Sequence, residues 1–175
     1  MRYSTVLQIF RVACVAAVVC TGLAGCSGKT PDALVVSAKD YLAKKDVDAA
    51  IIELKNALQK NPDLPEARFL LGKALLETED PRSAAIELRK AHELNYSPDL
   101  VVPLMARALL MQGQATKVID EFEAATLSTP AATAELKSTV ASALLTRSQR
   151  SKAEDALQAA FRAVPDDAGA RKSVV

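Results

Sequence analysis

The chain has no tryptophan, a single histidine and six glycines, and aromatics make up only 4% of its 175 residues. Strands draw on aromatic and β-branched residues. Their scarcity, beside abundant Ala, Leu, Lys and Glu, speaks for an all-α protein. The scattered glycines exclude a glycine-rich loop cradling phosphate. One histidine, His92, leaves any transition-metal site to carboxylates alone. All three cysteines (Cys14, Cys20 and Cys26) fall in the first 26 residues, so none can cross-link a core downstream. The net charge is +1, without the basic excess that accompanies nucleic-acid binding. There is no nucleophile elbow or triad, and no pair of carboxylates stands out as a glycosidase pair. Neither an enzyme, a cofactor nor a metal is expected.

What is present divides into a leader and a repeat. Between Arg11 and Ala24 runs VACVAAVVCTGL, uncharged and twelve residues long. A helix crossing a bilayer needs about 20 residues, so this run suits a secretory signal peptide better than a span. It ends in Leu23, Ala24, Gly25 and Cys26, which resembles the lipobox of bacterial lipoproteins. The resemblance implies diacylglyceryl transfer to the Cys26 thiol, cleavage before Cys26 and acylation of the new amino group. Residues 1–25 are then the signal peptide and 26–30 a lipidated tether. The mature chain carries a net −1, because Arg2 and Arg11 leave with the leader. One acyl chain holds a membrane marginally, whereas two or more anchor stably. Ser27, where aspartate would retain an inner-membrane lipoprotein, implies an outer-membrane, periplasm-facing location in a Gram-negative cell.

From Pro31 onward the sequence overlays on itself with a period of 34 residues. The expected repeats are 31–64, 65–98, 99–133 and 134–167, each a helix, a polar turn and a second helix. Small residues recur in three columns: Ala38, Gly72, Ala106 and Ala141; Ala50, Ala84, Val118 and Ala153; Ala57, Ala91, Ala125 and Ala160. They let helix backbones approach at fixed points, while Leu54, Leu88, Phe122 and Leu157 fill the space between. Pro62, Pro130 and Pro165 are read as closing three of the repeats. Glu53, Glu87 and Glu121 recur on second helices, where they are expected to solvate the outer surface. Residues 168–175 begin a truncated fifth repeat, so a longer array is expected.

This pattern resembles the tetratricopeptide repeat, which implies a right-handed α-solenoid of helix-turn-helix units. Its departures are Leu34, Arg68, Val102 and Lys137 in place of the first-helix aromatic, and Tyr96 in place of a closing proline. The lipobox and tether, followed by LKNALQKNP, ARFLLGKALL, ELRKAHELNYSPD and ARALLMQGQ, are similar to the TPR-repeat lipoprotein family of the PEP-CTERM/exosortase system. That resemblance implies an interaction scaffold in exopolysaccharide biosynthesis and export and in sorting of proteins with a PEP signal. The alternative is a TPR lipoprotein of another envelope machine, for outer-membrane protein assembly or pilus biogenesis.

Tetratricopeptide arrays bind ligands mainly on the concave face formed by their first helices. By repeat position that face carries Lys39, Lys73 and Arg107 in one row and Leu42, Leu76 and Leu110 in the next, with Phe69 beside them. Ser142 breaks the basic row in the fourth repeat and Leu145 continues the apolar one. A cationic rail beside an apolar rail suits a protein or peptide ligand with an acidic side chain or carboxylate, or an anionic glycan. The expected partners are therefore a protein or peptide in this groove and a membrane through the lipid on Cys26, with no nucleic acid.

Overall fold

Proline opens five of the eight helices among the described residues, and the turn chemistry between them repeats as regularly as the core. The computed structural model describes residues 29–164. The leader, the lipobox with Cys26 and residues 165–175 lie outside them. The helices are α1 (Pro31–Ala43), α2 (Val47–Lys60), α3 (Pro65–Glu77), α4 (Pro81–Glu93), α5 (Pro98–Met111), α6 (Ala115–Phe122), α7 (Pro130–Thr146) and α8 (Arg150–Ala163). They pack as successive hairpins, α1 on α2, α3 on α4 and α7 on α8, and each hairpin docks on the next. The result is an all-α solenoid of repeated helix pairs.

Each turn inside a hairpin is built alike. Lys45, Glu79, Gly113 and Ser148 have φ of 62°, 58°, 72° and 60°. In each case that residue's N–H bonds three residues back and the next N–H bonds five back, for example Glu79 to Leu76 and Asp80 to Leu75. This is the Schellman closure, which satisfies the orphan carbonyls of the helix just ended. The residue after it starts the next helix. Asp46 and Asp80 there accept backbone N–H bonds from Ala49 and Ser83 at 3.2 and 3.1 Å. Gln114 and Gln149, at the same place in the later repeats, make no side-chain cap.

The small columns lie between helices. Ala38, Ala106, Ala50, Ala84, Val118, Ala153, Ala57, Ala91 and Ala160 are fully buried, and Ala141 nearly so. Gly72 is the tightest point. A Cβ there would stand 2.6 Å from Cγ of Leu88 and 3.2 Å from the Ala84 carbonyl oxygen. Alanine fits elsewhere in this column, but here α3 and α4 approach too closely.

Three local expectations need correcting. Pro130 does not close a helix; it opens α7, whose cap Thr129 accepts the Ala132 N–H, so the expected boundary at Ala134 falls inside α7. Ala125 is not in a second helix, because α6 stops at Phe122 after eight residues. The backbone beyond it finds other partners. Lys137 Nζ donates to the Glu123 carbonyl at 2.7 Å, and the Ser128 N–H donates to the Asp99 carboxylate at 2.7 Å. In a continued helix those groups would bond within the segment itself. Glu87, expected to solvate the surface, is mostly buried. Its Oε2 pairs with Arg68 Nη1 at 2.5 Å, with side-chain exposures of 16% and 12%. Arg68 also donates to the Pro62 carbonyl. An arginine in the column it shares with Leu34, Val102 and Lys137 is thus balanced by charge and hydrogen bonds.

Candidate docking groove

Residues 66, 69, 73 and 76 share one stripe of α3, spaced by three and four. Glu66 and Lys73 are charged, and Phe69 and Leu76 are apolar. The first-helix face therefore carries both rails, but unevenly buried. Lys39, Lys73 and Arg107 are exposed, Leu42 and Leu110 are half-buried, and Phe69 and Leu76 are buried. Leu145 is 52% exposed on α7.

The α1 end of the row is electrically closed. Lys39 Nζ meets Glu66 Oε1 at 2.7 Å, across the first and second hairpins. Nearby, Tyr96 stacks on Phe69 with ring centroids 4.8 Å apart and planes 25° from parallel. Such a stack adds about 1 kcal/mol beyond the buried area. Tyr96 is delivered by the turn after α4, where Asn95 has φ 60° and the Tyr96 N–H returns to Ala91. Burial, and after it the charge of Glu66, pushes the Tyr96 hydroxyl above its ordinary pKa, with Lys39 acting the other way. The phenol stays neutral.

The α5–α7 end is open. A cavity of about 520 Å³ lies between these helices, with Arg107, Leu110 and Met111 on one wall and Glu135, Ser142 and Leu145 on the other. Thr139 also reaches it, and Leu157 of α8 lines part of it. Its surface mixes a guanidinium, a carboxylate and hydroxyls with leucine and methionine. Such a lining offers both polar and apolar side chains to a ligand. Among the described residues no group of three or more His, Cys, Asp or Glu could hold a metal ion. His92 is exposed on α4, away from this face.

With this geometry established, residues 38–78 match the family model described as TPR repeat. The match runs from Ala38 in α1 to Thr78 after α3. No curated protein matches the chain. The TPR-like helix pairs make a scaffold capable of protein–protein interaction. No described helix is long and apolar enough to cross a membrane.

Two groove residues escaped the sequence reading. Glu66 was within reach, since it shares a stripe with Phe69 and Lys73. Tyr96 was not, because only the packing of the α4–α5 turn lays its ring over Phe69.

Proposed function

We propose that this protein is a lipid-anchored peptide-docking scaffold of a Gram-negative envelope, working in exopolysaccharide biosynthesis and export and in PEP-CTERM protein sorting. The observation that carries the docking part is the first-helix face, where exposed Lys73 and Arg107 stand beside half-buried Leu110 and an open cavity. The LAGC sequence supports acylation at Cys26. The phrases LKNALQKNP and ELRKAHELNYSPD support the exosortase setting through their family resemblance. The scaffold holds a partner near the membrane surface and leaves the chemistry to that partner.

Two measurements test this. Cells fed an alkyne fatty acid should label the wild-type protein and not Cys26→Ser, and the variant should leave the outer-membrane fraction. Crosslinking in native membranes should then capture exosortase-system or polysaccharide-export proteins. Labelling that survives Cys26→Ser would remove the anchor from the reading. Capture of barrel-assembly or pilus proteins instead would move the scaffold to the other envelope machine.

A further inference from the structure

The three cations of the rail are equivalent by repeat position but not by environment. Lys39 faces Glu66 at 2.7 Å, both side chains being about half exposed, at 46% and 44%. An exposed pair of this kind is weak in water, so it can open. Even opened, Glu66 remains and repels an incoming carboxylate. Lys73 and Arg107 make no ion pair among the described residues and stay exposed to solvent. The usable positive charge therefore sits on α3 and α5 and is absent from α1. Phe69, the aromatic of the apolar rail, is already covered by Tyr96 and is 9% exposed, so it offers a ligand little. The open apolar surface is at the other end, on Leu110, Met111 and Leu145 around the cavity.

We infer that the groove binds an extended acidic peptide across α3, α5 and α7, its carboxylates on Lys73 and Arg107 and an apolar side chain in the α5–α7 cavity. This rests on the docking reading above and names its ligand. The cavity also sets a direction. Glu135 on the α7 wall disfavours a carboxylate there, so the acidic residues lie toward α3 and the apolar residue toward α7. Ser142 and Thr139 donate their hydroxyls to the Ser138 and Glu135 carbonyls within α7, which leaves their oxygens to accept a peptide N–H. A peptide fits better than an anionic glycan, because four of the ten residues lining the cavity are leucine or methionine, which a uronate ring leaves unmatched.

The test is selection of a random peptide display library on the full chain, followed by fluorescence anisotropy of the selected peptides. The expected peptides carry Asp or Glu to one side of Leu, Met or Phe, and bind more weakly as salt rises. Lys73→Glu and Arg107→Glu should each weaken them roughly tenfold. Leu145→Lys should weaken them several-fold, and Lys39→Glu should change them less than about twofold. All four positions are exposed, so helicity by circular dichroism should not move. Should a reversal disturb folding, Lys73→Gln and Arg107→Gln carry the same test.

Selection of neutral or basic peptides, selection of none, or equal loss with Lys39→Glu and Lys73→Glu would overturn the inference. So would a polyuronate that binds the chain and is released by Lys73→Glu/Arg107→Glu, which assigns the groove to a glycan. Failure here is separable from failure of the scaffold. If crosslinking in native membranes captures the same partner with Lys73→Glu/Arg107→Glu, the peptide site falls and docking through another surface stands.

Discussion

The first two hairpins and the last two are built on one repeat and finished differently. In α1 to α4 the turn inside each hairpin hands over to an aspartate cap, every helix has 13 or 14 residues, and the leucines at 54 and 88 are fully buried. In α5 to α8 the turns inside the hairpins hand over to glutamines that make no side-chain cap, α6 has 8 residues and α7 has 17. There Leu157 is only half-buried, and α5 and α7 line an open cavity. Regularity and groove are thus traded along the chain. The first-helix face is covered where Lys39 pairs with Glu66 and Tyr96 stacks on Phe69, and it is open where α5 and α7 line the cavity.

The sharpest way to break this comparison is to remove equivalent leucines. Leu88→Ala should cost about 3 kcal/mol, and Leu157→Ala about 1 kcal/mol, because a half-buried side chain leaves a smaller cavity. Urea denaturation gives both, and equal costs would mean that the later hairpins are as well packed as the earlier ones. Next in size, Gly72→Ala should destabilise by about 1 to 2 kcal/mol, since the clash with Leu88 outweighs the gain in helix propensity. Ala106→Gly, in the same column and fully buried, should cost about 1 to 2 kcal/mol through helix propensity and the lost methyl contact. Combining Gly72→Ala with Leu88→Ala should recover part of the sum, which tests whether these two residues are the contact in question.

The caps come third. Asp80→Ala should cost about 1 kcal/mol, while Gln149→Asp should gain a similar amount by giving the last hairpin the cap that the second has. The Ser83 hydroxyl, and after it the Ser83 N–H, hold the Asp80 carboxyl below its ordinary value of 3.8. A depressed carboxylate pKa stabilises the fold above that ordinary value, and the contribution is lost as pH falls through the folded value. The gap between Asp80→Ala and wild type should therefore close in acid. A gap that persisted would place the effect outside the carboxylate. Smallest are the turns. Glu79→Gly should raise the melting temperature slightly, by about 0.5 to 1 kcal/mol in stability, because a non-glycine residue there holds a left-handed conformation. Gly113→Ala should lower stability by a similar amount, although no atom stands within 4 Å of the added methyl.

The columns of small residues were legible because a period of 34 forces the same face inward in each repeat. Gly72 stood out in its column, though only the packing shows Leu88 filling the space beside it. The course of Glu123 to Thr129 was not legible. Alanines at 124 and 125 favour helix locally, yet Lys137 and Asp99, distant in sequence, take up the backbone groups that a helix would use. The rail shows the same split, since its members follow from spacing but Lys39 is neutralised by a residue of the next hairpin.

Composition and periodicity alone thus determined an all-α stack of helix pairs, its small-residue seams and the residues of its first-helix face, because these depend on spacing along one helix. Tertiary structure decided where the stack is tight, where it opens, and which cations remain available to a ligand. Those outcomes depend on contacts between hairpins, whose partners lie about one repeat apart in sequence and are set by packing rather than by local pattern.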